Sequence, residues 1–155
     1  MLLKSILLVA IGLLAPVLAW SQPTPGTYKL MSFDIEIEGA KAIEYFGKSP
    51  QGYIVLTKSL FISVLSAEGR KAGRTQEEKA ALLDTIIAYT GPYRIEGRKF
   101  IVDVESSWNQ AWSGKTQSRT WVVDGSRLTL VTDPAPYSRD PSKTATAKLT
   151  FEKIE

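Results

Sequence analysis

Glu105–Asp124, ESSWNQAWSGKTQSRTWVVD, is the stretch on which the fold turns. It carries Trp108, Trp112 and Trp121, the chain's only Asn and a Gln-x-Arg-x-Trp segment. Successive strand side chains point to opposite faces, so Gln117, Arg119, Trp121 and Val123 share one face and Thr116, Ser118, Thr120 and Val122 the other. Asp124-Gly125 predicts a hairpin into a second alternating strand, Arg127–Thr132. Arg119 is the awkward residue, a permanent cation on the face of Trp121. If that face is the inside of a sheet, the cation needs an anion or a polar cavity beside it.

Outward from this hairpin, everything after Gly91 reads as strand and turn. Tyr93–Glu96 turns through Gly97 into Lys99–Glu105, where Phe100, Val102 and Val104 oppose Ile101, Asp103 and Glu105. Asp133–Lys143, with Pro134, Pro136 and Pro141, reads as an exposed loop. Ala145–Ile154 is a last strand with Ala147, Leu149 and Phe151 on one face. Toward the start, Gly26–Glu38 is a strand whose parity changes between Tyr28/Leu30 and Phe33/Ile35/Ile37, which predicts a bulge near Met31-Ser32. Gly39–Gln51 is a loop with an aromatic pair, Tyr45-Phe46. Gly52–Thr57 and Leu60–Ser66 are the second and third strands.

One helix is expected, over Thr75–Thr90. Thr75-Gln76-Glu77-Glu78 is a capping box, and acidic residues suit the positive end of the helix dipole. Leu82, Leu83, Ile86 and Ile87 form an apolar stripe read as core, and Gly91-Pro92 ends the helix. The fold class is therefore mainly β: an eight-stranded antiparallel up-and-down barrel with one α-helix between the third and fourth strands. Closure removes sheet edges. At eight strands the interior is either filled by side chains or holds one small ligand.

At 155 residues, 44% hydrophobic and 23% charged, the chain is one soluble globular domain. A net charge of +3 is too small to argue for a nucleic-acid partner. With no Cys and no His, disulfides, thiolate chemistry, lipidation at cysteine and the commonest metal ligand and general base are all removed. No metal and no cofactor is expected. Residues 1–21 read as a signal peptide: Lys4, an apolar run over Ile6–Leu18, and small residues permitting cleavage after Ala19 or Ser21. The run is shorter than the roughly 20 residues a membrane span needs. The mature domain, residues 26–155, is expected to be secreted or periplasmic, unlipidated and not inserted in a membrane.

The segments Trp112–Arg119 and Asp124–Leu130 resemble the lipocalin-like domain family of small bacterial and fungal proteins. Gly26-Thr27-Tyr28, Pro50-Gln51-Gly52-Tyr53, Ala88–Tyr93 and Glu96-Gly97 agree in order and spacing, so the similarity covers most of Gly26–Glu155. The resemblance implies a lipocalin-type barrel with a central cavity. Two departures stand out. The histidines that members often carry before the Trp loop are absent from Ile101–Glu105, and the Gly-x-Trp of lipocalins at large is Gly26-Thr27-Tyr28.

Two classes of function follow. One is a carrier of a small, mostly hydrophobic molecule, with Trp108, Trp112, Trp121, Tyr93 and Tyr53 as aromatic wall and Gln117 and Arg119 as orienting polar groups. In that case Arg119 faces either an anionic group of the ligand or a carboxylate such as Glu105, Asp103 or Asp34. The other is an isomerase or cyclase acting on a hydrophobic substrate, with Glu105 or Asp103 as acid/base and Arg119 stabilising charge. The outward parity of both acids weighs against it unless a bulge near Ser106 turns Glu105 inward. An envelope interaction module using the Tyr45-Phe46 and proline loops is a third reading.

Overall fold

The computed structural model of the protein describes residues 22–137 and 139–155. The expected signal peptide, residues 1–21, lies outside them. Eleven strands, one α-helix and one 3-10 turn follow in order: β1 (Gly26–Ile37), β2 (Ile43–Glu44), β3 (Gln51–Leu56), β4 (Leu60–Ser66), α1 (Gln76–Leu83), β5 (Ile86–Glu96), β6 (Lys99–Asp103), β7 (Ser106–Ser107), the turn Gln110–Trp112, β8 (Thr116–Asp124), β9 (Arg127–Val131), β10 (Ala135–Tyr137) and β11 (Asp140–Lys153). Eight of the strands close a barrel in the order β1-β3-β4-β5-β6-β8-β9-β11, and β11 pairs back on β1. Every pairing is antiparallel. The short β2, β7 and β10 append to β1, β5 and β11.

The expected bulge is present. Leu30 pairs with Phe151 and Ser32 with Thr150, so Met31 is the extra residue. It is 49% exposed, while Tyr28, Leu30, Phe33 and Ile37 are all buried. One inserted residue shifts strand parity by one. Both halves of β1 thereby face the core.

The β8–β9 hairpin also forms as its sequence predicts. Asp124 pairs with Arg127, and Gly125 takes φ 60° while Ser126 does not turn left-handed. That is the pattern of a two-residue II′ loop, whose twist matches the flanking strands.

Three expectations are corrected. The helix does not reach Thr90: it ends at Leu83 and buries no side chain, and Ile86–Glu96 is a strand. The capping box forms as read, with Thr75 accepting from the Glu78 N–H. Ile86-Ile87-Ala88-Tyr89-Thr90 is rich in β-branched and aromatic residues, and pairing with β4 wins over continuing the helix. Gly91-Pro92 lies inside β5 rather than ending a helix. It falls where β5 has finished pairing with β7 at Thr90 and not yet begun with β6 at Tyr93. Proline, having no N–H to donate, is tolerated at such an interruption. Finally, the proline segment is less of a loop than expected, because β10 and the extended start of β11 pair as a flap.

The two ends of the barrel differ. Short turns join the strands at one end, after Leu56, Glu96 and Asp124, and the start of β1 meets the last residues there: Ile154 donates to Thr27 O at 2.9 Å and Thr27 to Glu155 O at 3.2 Å. Tyr28 closes this floor, buried, with its hydroxyl donating to Thr24 O at 2.7 Å. Trp121, Phe100, Leu128 and Phe151 fill the space around it. The long segments after Ile37, Ser66, Asp103 and Val131 all lie at the other end, the mouth.

Gly91 supplies a test of this layout. A Cβ there would overlap the backbone carbonyl of Asp103. Backbone cannot yield as a flexible side chain can, so Gly91→Ala is expected to cost about 1–3 kcal/mol, the range for overpacking a tight interior. Urea denaturation measures it. A loss below about 0.5 kcal/mol, typical of an unconstrained surface site, would mean that β5 and β6 are not so close.

Candidate functional site

The upper half of the barrel encloses a cavity of about 510 Å³. Its volume lies in the range of small-molecule pockets. Ile54, Phe61, Leu130 and Phe151 line its deep end, and Phe33, Ile35, Ile87, Ala147 and Leu149 its walls. At the mouth stand Tyr45, Leu83, Asp84, Trp108, Asn109 and Tyr137. The space exists because inward side chains shrink along β11 from Phe151 and Leu149 to Ala147 and Ala145.

Packing of rings fixes the mouth. Trp108 and Trp112 meet edge to face with centroids 4.8 Å apart, and Trp112 meets Tyr89 at 5.5 Å. The Trp108 Nε1–H donates to Leu83 O at 3.2 Å, tying the Trp segment to the end of α1. On the facing side Tyr45 and Phe46 pack on Phe33 at 4.9 and 5.0 Å. The Glu68 carboxylate holds that segment by accepting from the Lys48 and Ser49 N–H groups at 2.9 and 3.1 Å. Such edge-to-face and offset pairs add specificity beyond buried area.

Of the residues picked out in the sequence, three line the cavity: Arg119, Trp112 and Trp108. Gln117 is half-buried beside Arg119, and its Oε1 accepts from both terminal nitrogens of the guanidinium at 3.3 Å. Arg119 also donates to Ser118 O at 2.8 Å. It forms no ion pair among the described residues. Of the two arrangements expected for Arg119, the guanidinium therefore takes the open cavity.

The remaining picks stand elsewhere. Trp121 is buried in the floor, and Tyr93 stacks on Phe100 there at 5.0 Å, its hydroxyl donating to Thr57 O. Tyr53 is 47% exposed and does not line the cavity. Glu105 is exposed and lies apart from the cavity; Asp103 is engaged with Arg94 and with the Thr116 hydroxyl. Neither acid considered for proton transfer faces the enclosed space. Among the described residues no group of acids could hold a metal ion.

Among the polar lining residues that the sequence did not single out, Ser63 and Tyr89 lie deepest in the wall. Ser63 is 2% exposed between Phe61 and Leu65 on the inner face of β4, and its Oγ has no partner among the described residues. Tyr89 lies directly across from it in the β4–β5 ladder, packed on Phe61 at 5.0 Å. Burial pushes the Tyr89 hydroxyl above its ordinary pKa, an effect partly opposed by the nearby Arg119 charge. Tyr89 is thus a neutral hydrogen-bond donor throughout the physiological range.

Arg119→Met tests this geometry. With no protein carboxylate to orphan, unfolding stability is expected to change by no more than about 1 kcal/mol. A loss of about 3–5 kcal/mol on thermal or urea unfolding would reveal a buried ion pair instead.

A family model described as a lipocalin-like domain matches residues 25–154. No curated protein matches the chain.

Proposed function

The chain belongs to the lipocalin-like domain family, and from that premise we propose that it binds a small, mostly hydrophobic molecule inside its barrel. The observation that carries this reading is the cavity of about 510 Å³, walled chiefly by apolar and aromatic side chains and open at the mouth. Burying apolar ligand surface in such a space contributes about 25 cal/mol per Å². We further propose that the protein acts after export, as an unlipidated secreted or periplasmic carrier. Lys4, the apolar run Ile6–Leu18 and the absence of cysteine support that part.

Titration with Nile red, a neutral dye that fluoresces in apolar surroundings, tests the binding. Saturable enhancement is expected, and Ala147→Trp, which places a large ring in the cavity, should weaken it at least about tenfold. Dye binding unaffected by that substitution would place the ligand elsewhere and end the proposal. Intact mass of the exported protein is expected to show a chain starting at Trp20 or Gln22. Retention of Met1 in that fraction would overturn the export proposal alone.

A further inference from the structure

Ser63, Tyr89 and Arg119 are polar groups set in a largely apolar cavity wall, where another polar side chain, Thr132, already accepts from the Ala147 N–H. An inward position between Phe61 and Leu65 suits a large apolar side chain, yet it holds a serine whose Oγ is buried without a partner among the described residues. Leaving a buried hydroxyl unsatisfied costs stability. Tyr89, directly across the ladder, lines the same cavity. Arg119 reaches the same cavity from β8, held by Gln117 and the Ser118 carbonyl, with no ion pair among the described residues.

We propose that Ser63, Tyr89 and Arg119 form an acid-binding subsite, and that the natural ligand is an amphiphile whose polar end is a singly charged carboxylate. This rests on the reading of the barrel as a hydrophobic-ligand carrier. The chemistry of the three groups narrows the class. All three can donate, and a carboxylate offers only acceptors, two oxygens with about four lone-pair sites. One guanidinium balances one negative charge; a phosphate monoester, with up to two, would leave charge uncompensated in a low-dielectric site. A cationic end would face Arg119. An alcohol would leave the guanidinium without an anion.

Isothermal titration of the mature protein at neutral pH with decanoate, decan-1-ol and decyl phosphate separates these cases. Decanoate is expected to bind at least about tenfold more tightly than decan-1-ol, which is what one charge-assisted hydrogen bond supplies, and more tightly than decyl phosphate. Arg119→Gln should bring the acid-to-alcohol ratio close to one. Ser63→Ala, which deletes the hydroxyl with little change of volume, and Tyr89→Phe should each lower that ratio several-fold. Equal binding of decanoate and decan-1-ol by the native protein overturns the carboxylate assignment and leaves the hydrophobic-carrier reading standing. Tighter binding of decyl phosphate overturns it too. An acid preference that survives Arg119→Gln overturns the subsite. Binding of none of the three, with Nile red also failing, overturns both readings together.

Discussion

The ladder between β1 and β11 is the constraint that the rest of the structure answers to. It joins residues more than a hundred positions apart, as in the Thr144 hydroxyl donating to Glu38, and turns an open sheet into a barrel. Without it, the unpaired groups of two long strands would be exposed edges. The ladder is carried across the Met31 bulge, and the bulge is what allows closure without cost to the core. An unbulged β1 that faced Tyr28 and Leu30 inward would face Phe33 and Ile35 outward. With it, the lower half of β1 helps fill the floor and the upper half lines the cavity.

From that closure follows the division of the interior into a packed end and a hollow end. Strand number sets the barrel's width, so side-chain size along each strand decides where matter stops. β11 steps down from Phe151 to Ala145, β8 from Trp121 to the polar Arg119 and Gln117, and β4 drops from Phe61 to Ser63. β11 and β8 thin out toward the end where the long segments lie, while β4 gives up space only at Ser63, with Leu65 buried beyond it. Hollowness here is distributed over several strands rather than made by any one residue.

Much of the fold was legible because strand parity is a local property. The β1 bulge, the Asp124-Gly125 hairpin, the bounds of β4 and the inward faces of β6, β8, β9 and β11 could all be read from alternation. The end of the helix could not, because Leu82–Tyr89 carries apolar residues that suit a helix stripe and a strand about equally. The choice was made by a partner strand, β4, whose paired residues lie twenty or more positions away. The site was legible only in part for a related reason. In Leu60–Ser66 both faces carry large apolar residues, so alternation alone does not say which way Ser63 points. The barrel puts Ser63 inside and leaves Ile62 and Val64 at 39% and 52% exposure. Tyr53, across from Val64, goes outside with them. Arg119 stood out because its charge was anomalous on a face with Trp121. Tyr89 did not stand out, having been placed on a helix that ends before it.

The meeting of the first and last described segments at the floor has a consequence for how the barrel can be presented. Thr27 and Glu155 are hydrogen-bonded, and the Lys153 ammonium reaches the Thr24 hydroxyl at 2.9 Å, so both segments emerge on the closed side. The opening lies at the far end of every strand. A surface, a linker or a fused protein attached through Gln22 or Glu155 therefore sits behind the barrel and leaves the opening pointing away from it. The protein can be tethered without being stoppered.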